Sequence, residues 1–122
     1  MNTSVHYIYR DASNYKTTNR VVVSGALAPS EKAELLACLD TGENFIPGQV
    51  GLAELQSDLA KWNGGEMTDD DHVWHELQED GIADTDERPT IDLGAADLLK
   101  AFKRAANAWD VVGAMKRLDI PE

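Results

Sequence analysis

The N-terminal 23 residues constrain the fold most strongly, because they predict a β-hairpin. Side chains of a strand alternate between two faces, and VHYIYR (residues 5–10) alternates in this way. One face would carry Val5, Tyr7 and Tyr9, and the other His6, Ile8 and Arg10. The turn formers of DASN follow, and a second strand ends in the valine run at residues 21–23. The chain therefore begins with an antiparallel hairpin whose apolar face must be covered.

Two helices are predicted to follow the hairpin. Residues 29–42 (PSEKAELLACLDTG) predict a helix with Ser30 as its N-cap and Gly42 as its stop. A short amphipathic helix that ends at residues 63–65 (NGG) is predicted from apolar residues three and four positions apart: Leu52, Leu55, Leu59 and Trp62. The loop between the two helices is expected to fill the core with Phe45, Ile46 and Val50.

Residues 72–77 (HVWHEL) predict a third strand, with Val73, His75 and Leu77 on one face. An acidic loop over residues 81–92 separates this strand from the C-terminal third. That third predicts one helix or a helix pair over residues 93–118, capped by Thr90 or Asp92. Its apolar stripe comprises Leu98, Phe102, Ala105, Trp109 and Val112, with a break expected near Asn107 or Gly113.

The order of elements predicts a single α+β domain over residues 1–122. A small antiparallel sheet, formed by the N-terminal hairpin and the HVWHEL strand, would pack against helices. Residues 1–80 would form the α+β core, residues 81–92 the acidic loop and residues 93–118 the helical C-terminal part.

The negative charge is concentrated in one segment of the chain. Residues 66–97 hold twelve acidic residues and one basic residue, a net charge of −11, whereas the other ninety residues are neutral overall. Such a segment repels nucleic acid, whose binding proteins need basic surfaces. It attracts basic partners and accelerates their encounter. We therefore exclude direct nucleic-acid binding and expect a basic protein surface as the partner.

Composition also bounds the location and the chemistry. The single cysteine, Cys38, excludes an internal disulfide framework and a cysteine-rich zinc site. No apolar run approaches the roughly 20 residues that span a bilayer. The N-terminus lacks the hydrophobic region of a signal peptide. We expect a cytoplasmic protein, monomeric or homodimeric, with no membrane partner and no cofactor.

The stretch DDDHVWHEL (residues 69–77) contains the candidate chemical groups. Two histidines three residues apart would chelate a metal from one face of a helix, and the candidate ligands are His72, His75 and Asp71. In a strand the two rings would point to opposite faces, which argues against a shared ion. General acid–base catalysis is the other alternative, through His72, His75 and Asp11. No nucleophile elbow, phosphate-binding loop or dinucleotide motif supports an enzyme.

Aromatic and basic residues of the hairpin give two further candidates. Tyr7, Tyr9, Tyr15 and Trp74 would form either an exposed binding patch or ordinary packing within the sheet. The hairpin is also the only locally basic stretch, through Arg10, Lys16 and Arg20. These cations are expected to pair with the acidic strand inside the same fold.

The motifs YIYRDASNYK, VVVSG, GENFIPGQVGL and DHVWHEL resemble a small family of bacterial and mobile-element proteins of unknown function. The family pattern is Y-x-Y-R-D-x-x-N-Y-K, a valine-rich strand, F-I-P-x-x-V-G-L and D-H-x-W-H-E, and the match covers Tyr7 to Leu77. The resemblance implies that eight residues belong to one shared feature: Arg10, Asp11, Asn14, Lys16, Asp71, His72, Trp74 and His75. That feature is either a lock between the hairpin and the third strand or a site. The resemblance implies no activity.

Charge and resemblance together favour a non-enzymatic, acidic protein-interaction module. An inhibitor from a phage or mobile element, such as an anti-CRISPR protein, would use such a surface to occupy the nucleic-acid-binding site of its target. The expected binding residues are Asp69, Asp70, Asp71, Trp74, Glu76, Glu79, Asp80, Asp84, Asp86 and Glu87. The first alternative is a small-molecule or metal-dependent enzyme whose site joins the YRDASNYK hairpin to the DHVWH strand. The second is a toxin-neutralising immunity protein.

Overall fold

The computed structural model, which describes residues 1–61 and 64–121, contains the predicted hairpin, whose first strand lies inside the sheet and whose second strand ends the strand order. Strands β1 (Asn2–Arg10) and β2 (Lys16–Val23) pair antiparallel, with Val5 opposite Val21 and Arg10 opposite Lys16. The predicted alternation is confirmed, because Val5, Tyr7 and Tyr9 are each at most 1% exposed. Leu35, Leu98 and Phe102 of two helices belong to the same core cluster as this apolar face, whereas Ala114 of the last helix belongs to a second cluster with Ile46 and Val73. The opposite face of the hairpin, here called the outer face, carries His6, Ile8, Arg10, Lys16 and Arg20.

Three short strands complete an α+β fold with the predicted antiparallel sheet. They are β3 (Asn44–Phe45), β4 (His75–Glu76) and β5 (Ile82–Thr85). The sheet order is β2-β1-β4-β3, and β5 pairs with β1 beyond β4. The predicted third strand is therefore only two residues long, but its alternation holds, since Val73, His75 and Leu77 are buried.

The prediction of an acidic loop over residues 81–92 is wrong for β5. Ile82 is buried opposite Val5, and the main chain of β5 pairs with β1 as far as Thr85 opposite Asn2. Gly81 permits this approach, because a Cβ atom there would lie 2.6 Å from the carbonyl oxygen of His6. One apolar side chain and a main-chain ladder are sufficient to hold this acidic strand.

The first two helices differ from their predicted limits. Helix α1 spans Pro29–Ala37, and its N-cap is Ala28 instead of Ser30, because Pro29 occupies the first helical position. The Glu31 carboxylate accepts the main-chain N–H of Ala28 at 2.9 Å. Helix α2 (Gln56–Ala60) is shorter than predicted. Leu52 and Leu55 are buried, as an apolar stripe requires, but both lie before the first residue of the helix. The predicted contribution of Trp62 lies outside the described residues.

The C-terminal third is a helix pair, α3 (Ala95–Ala105) and α4 (Val111–Leu118). The break falls at Asn107, whose φ of 60° is left-handed and ends the helical path. Neither predicted cap is used, because Gly94 is the N-cap of α3. The hydroxyl of Thr90 instead accepts the main-chain N–H of Val22 at 2.8 Å.

The core contains most of the residues predicted for it. Phe45, Ile46 and Val50 are buried as expected, although the first belongs to β3. The stripe of the C-terminal third is confirmed for Leu98, Phe102 and Ala105 but wrong for Val112, which is 61% exposed. Ala114 takes the buried position in α4. No helix in residues 1–61 and 64–121 has the length and apolar character needed to cross a membrane.

Candidate functional site

His75 lies in the core with both ring nitrogens bonded to the main chain. Its Nε2 accepts the N–H of Leu55 at 2.9 Å, which leaves Nδ1 to donate to the carbonyl of Val73 at 3.3 Å. The side chain is fully buried, and burial lowers the pKa of the imidazole to about 3. His75 is therefore a neutral structural residue that ties β4 to the start of α2.

His72 is held in a similar way at the C-terminal end of β1. Its Nδ1 accepts the main-chain N–H of Trp74 at 3.0 Å, and its Nε2 therefore donates to the carbonyl of Arg10 at 2.6 Å. The two imidazoles both pack on Tyr9, with ring centroids 5.2 Å and 5.1 Å away. His75 is fully buried, whereas His72 is partly exposed.

These bonds bear directly on the candidate metal and catalytic sets. A metal ligand or a general base must offer a nitrogen lone pair, and the lone pairs of His72 and His75 accept main-chain N–H groups. Asp71 is committed too, because its Oδ1 accepts the Tyr9 hydroxyl at 2.6 Å and its Oδ2 accepts the N–H of Thr68 at 2.9 Å. Within residues 1–61 and 64–121 no three acidic, histidine or cysteine side chains are arranged to hold a metal ion.

The hairpin turn and residues 68–72 form one interlocked unit. The Asp11 carboxylate accepts the N–H groups of Ser13 and Tyr15 at 3.0 Å and 2.9 Å, which fixes the turn. The main chain of Ala12 donates to the carbonyl of Asp70 at 3.0 Å, and the Ser13 hydroxyl donates to the Asp70 carboxylate at 2.5 Å. The YRDASNYK turn and the residues that precede β4 therefore meet in space and are joined by hydrogen bonds.

The segment from Asp69 to Glu87, here called the acidic flank, follows β1 along its whole length. Asp70 bonds the hairpin turn beyond one end of β1, Glu76 lies opposite Ile8, and Asp84 lies opposite Thr3. Nine strand residues span about 30 Å. The acidic side chains of the flank are thus distributed along one side of β1.

The acidic flank does not include the whole acidic segment. Residues 88–94 lie instead beside β2. The N–H of Thr90 donates to the carbonyl of Val22 at 2.8 Å, and Gly94 forms an isolated parallel β-bridge with Ser24. The acidic segment of the sequence is therefore divided: Asp92 lies in the part beside β2, and Asp97 follows that part.

Three carboxylates of the acidic flank form ion pairs within the protein. Glu76 pairs with Arg10 at 3.0 Å, Asp84 pairs with Lys32 at 3.2 Å, and Glu87 pairs with Arg20. The hydrogen bond from Arg20 lowers the pKa of the Glu87 carboxyl.

The expected pairing between hairpin cations and the acidic strand is thus confirmed for Arg10, whereas Arg20 pairs with Glu87, which follows β5. Asp70 and Asp71 accept hydrogen bonds, and the other four acids of the acidic flank are exposed and have no side-chain hydrogen bond or ion pair within the described residues: Asp69, Glu79, Asp80 and Asp86.

A shallow cleft of about 440 Å³, here called the turn cleft, opens where the hairpin turn meets β4. It is lined by Arg10, Asp11, Glu43, Asn44, His72, Trp74 and Glu76. The predicted convergence of the hairpin turn with the DHVWH strand is present, but Lys16 and His75 are not among the lining residues. The cleft combines three carboxylates with one guanidinium and one indole.

The candidate aromatic residues divide into core and surface. Tyr7 and Tyr9 are completely buried, and desolvation raises the pKa of both hydroxyls. Tyr15 is 69% exposed at the hairpin turn, and Trp74 is half-buried beside the turn cleft. Only the latter two are available to a partner.

Comparisons of the chain with family models, curated proteins and solved structures found no match. Membership of the mobile-element family therefore stays a prediction.

Sequence reasoning missed Glu43 and Asn44, which reach the turn cleft only because β3 pairs with β4. It also missed Tyr9 as the partner of Asp71, although a tyrosine predicted to be buried signals that its hydroxyl needs a partner.

Proposed function

We propose that the chain is an acidic protein-interaction module of the cytoplasm that occupies a basic, nucleic-acid-binding surface of another protein. The observation that carries this proposal is the course of the acidic flank along β1, with four exposed carboxylates that have no ion pair with a described residue. Charges spaced along a strand are complementary to a surface that binds a phosphate backbone. An inhibitor encoded by a phage or mobile element, such as an anti-CRISPR protein, is the class of protein that this surface suits.

The rigidity of the surface also supports the proposal. The hairpin turn is bonded to residues 68–72, and β5 is paired with β1. A surface that is ordered before binding loses less conformational entropy when the complex forms. The carboxylates of the acidic flank are therefore presented on a fixed scaffold.

Capture from a cell lysate followed by competition tests the proposal. The tagged chain should retain a nucleic-acid-binding protein at about 50 mM salt and lose most of it at about 300 mM salt, because exposed charges are screened. The purified partner should then bind this chain and duplex DNA or RNA competitively. A partner that binds nucleic acid and this chain at the same time would refute the proposal.

A second candidate function is an enzyme built at the turn cleft. The observation in its favour is the meeting of Asp11 and His72 in one cleft. The hydrogen bonds of His72 count against it, since both ring nitrogens are engaged with the main chain and a general base needs an available lone pair. An immunity protein would use the same acidic flank, and the identity of the captured partner, a toxin or a nucleic-acid-binding machine, distinguishes the two.

A further inference from the structure

We infer that the turn cleft receives an arginine side chain of the partner, an inference that rests on the proposed function and locates one contact within it. The cleft adjoins the acidic flank, because Glu76 belongs to both. A partner that lies along the acidic flank therefore reaches the cleft.

The charge of the cleft favours a cation. Arg10 is its only basic lining residue, and this guanidinium is already held by Glu76 at 3.0 Å and by the Asn14 side chain at 2.6 Å. The pair neutralises Glu76 and leaves the carboxylates of Asp11 and Glu43 uncompensated. The Glu43 side chain has no hydrogen bond or ion pair with any described residue. A cationic group from outside would supply the missing charge.

The indole of Trp74 selects among cations. A guanidinium is planar and stacks on an aromatic ring while its edge donates to carboxylates, whereas a lysine ammonium is a compact, strongly hydrated charge. Trp74 lines the same cleft as Asp11 and Glu43 and packs edge-to-face on Trp109, with centroids 6.4 Å apart. An indole and two carboxylates in one cleft match the flat face and the donor edge of arginine.

The Asp11 carboxylate, the His72 ring and the main chain of Trp74 are held in place before any partner arrives. Asp11 is held by the N–H groups of the turn, and the main chain of Trp74 donates to the His72 ring at 3.0 Å. The ring of His72 is in turn bonded to the carbonyl of Arg10. His72 thus connects the main chains of Arg10 and Trp74 on the two sides of the cleft.

The experiment is an NMR titration of the ¹⁵N-labelled full chain with three small probes. These are acetyl-arginine amide, acetyl-lysine amide and acetyl-citrulline amide, the last of which is the neutral analogue of arginine. The indole N–H signal of Trp74, assigned with Trp74→Phe, should shift and saturate with the arginine probe. The lysine probe should bind more weakly, and the citrulline probe should cause no saturable shift.

Two variants of equal charge change provide the control. Glu43→Gln should weaken binding of the arginine probe by about fivefold, the loss of one ionic contact. Asp92→Asn removes an exposed carboxylate that lies outside the cleft and should leave the affinity unchanged. Equal effects of the two variants, or equal shifts with arginine and citrulline, would overturn the inference. Equal affinity for lysine would overturn the assignment to arginine.

The failure of this inference differs from failure of the proposed function. Glu79 and Asp80 do not line the turn cleft, so Glu79→Gln/Asp80→Asn tests the acidic flank alone. If this double variant loses the partner while Trp74 is silent to arginine, the function stands and the cleft assignment is wrong. If Trp74 responds while no basic partner depends on the acidic flank, the function is wrong and the cleft assignment stands.

Discussion

The Nε2 atom of His75 accepts a hydrogen bond from the main-chain N–H of Leu55 at 2.9 Å, deep in the core. This bond joins β4 to the residue that precedes α2, so the histidine connects two elements that are 20 residues apart in sequence. The bond requires a neutral ring, because a protonated imidazole has no acceptor. His75 therefore has a structural role in the core.

His75 should make stability depend on pH. The pKa of His75 is about 3 in the folded protein and about 6.5 in an unfolded chain. Between these values the unfolded state binds a proton that the folded state excludes, so stability is lost as pH falls below about 6.5. The slope approaches about 1.4 kcal/mol per pH unit, or about 2 kcal/mol between pH 7 and pH 5.

Urea denaturation of three proteins at the two pH values checks this prediction. Wild type should lose about 2 kcal/mol more than His75→Gln, which cannot titrate. His6→Gln, at an exposed position of β1, should behave like wild type. Identical pH dependence of wild type and His75→Gln would show that the buried imidazole does not exclude the proton.

Tyr9→Phe should destabilise the fold by about 1–3 kcal/mol. The substitution leaves the Asp71 carboxylate without the hydroxyl that donates to it at 2.6 Å and leaves the N–H of His72 without its acceptor at 3.3 Å. Tyr15→Phe removes the same atom from a side chain that is 69% exposed and should cost almost nothing. Denaturation midpoints of the two variants check this prediction, and equal midpoints would contradict it.

Zinc should neither stabilise the protein nor be retained by it. Every ring nitrogen of His72 and His75 is bonded to the main chain, so metal binding would have to break those bonds. The melting temperature should be the same with added Zn²⁺ and with a chelator. A rise with Zn²⁺ that disappears in His72→Gln would establish a metal site.

Neutralising part of the acidic flank should slightly stabilise the folded chain. Glu79 and Asp80 are adjacent, exposed and without a basic partner in the described residues, in a chain of net charge −11. Their removal lowers self-repulsion, so Glu79→Gln/Asp80→Asn should gain about 0.5 kcal/mol at low salt and less at high salt. Asp84→Asn breaks the pair with Lys32 and should give no gain. A loss of stability in the double variant would argue for a structural role of these carboxylates.

The hairpin could be predicted from sequence because its signals are local. Alternation at residues 5–10 fixes which side chains are buried, and the turn residues lie between the two strands. The break at Asn107 was one of two predicted alternatives. The pattern of residues predicts that a helix exists more reliably than it predicts the residue at which the helix ends. Strand β5 escaped prediction because Ile82 is its only buried apolar residue and its pairing depends on the main chain of β1.

The candidate site was less predictable, because its contacts join distant residues. The partners of His72 and Asp84 are Arg10 and Lys32, each at least 52 residues away. Ring nitrogens and carboxylates in a sequence do not reveal whether a main-chain group or a lysine has already engaged them. Of the eight residues that the resemblance groups together, Arg10, Asp11, His72 and Trp74 line the turn cleft and the other four do not, and the pattern does not distinguish a lock from a site.

Binding of the captured partner by two double variants shows whether the acidic flank is the binding surface. Glu79→Gln/Asp80→Asn and Asp92→Asn/Asp97→Asn change the net charge equally, but the first pair lies on the acidic flank and the second lies outside it, with Asp92 in the part of the chain beside β2. At about 50 mM salt, we expect the first variant to bind the purified nucleic-acid-binding partner about tenfold more weakly and the second to bind like wild type. Equal affinities of the two variants would show that the acidic flank is not the binding surface.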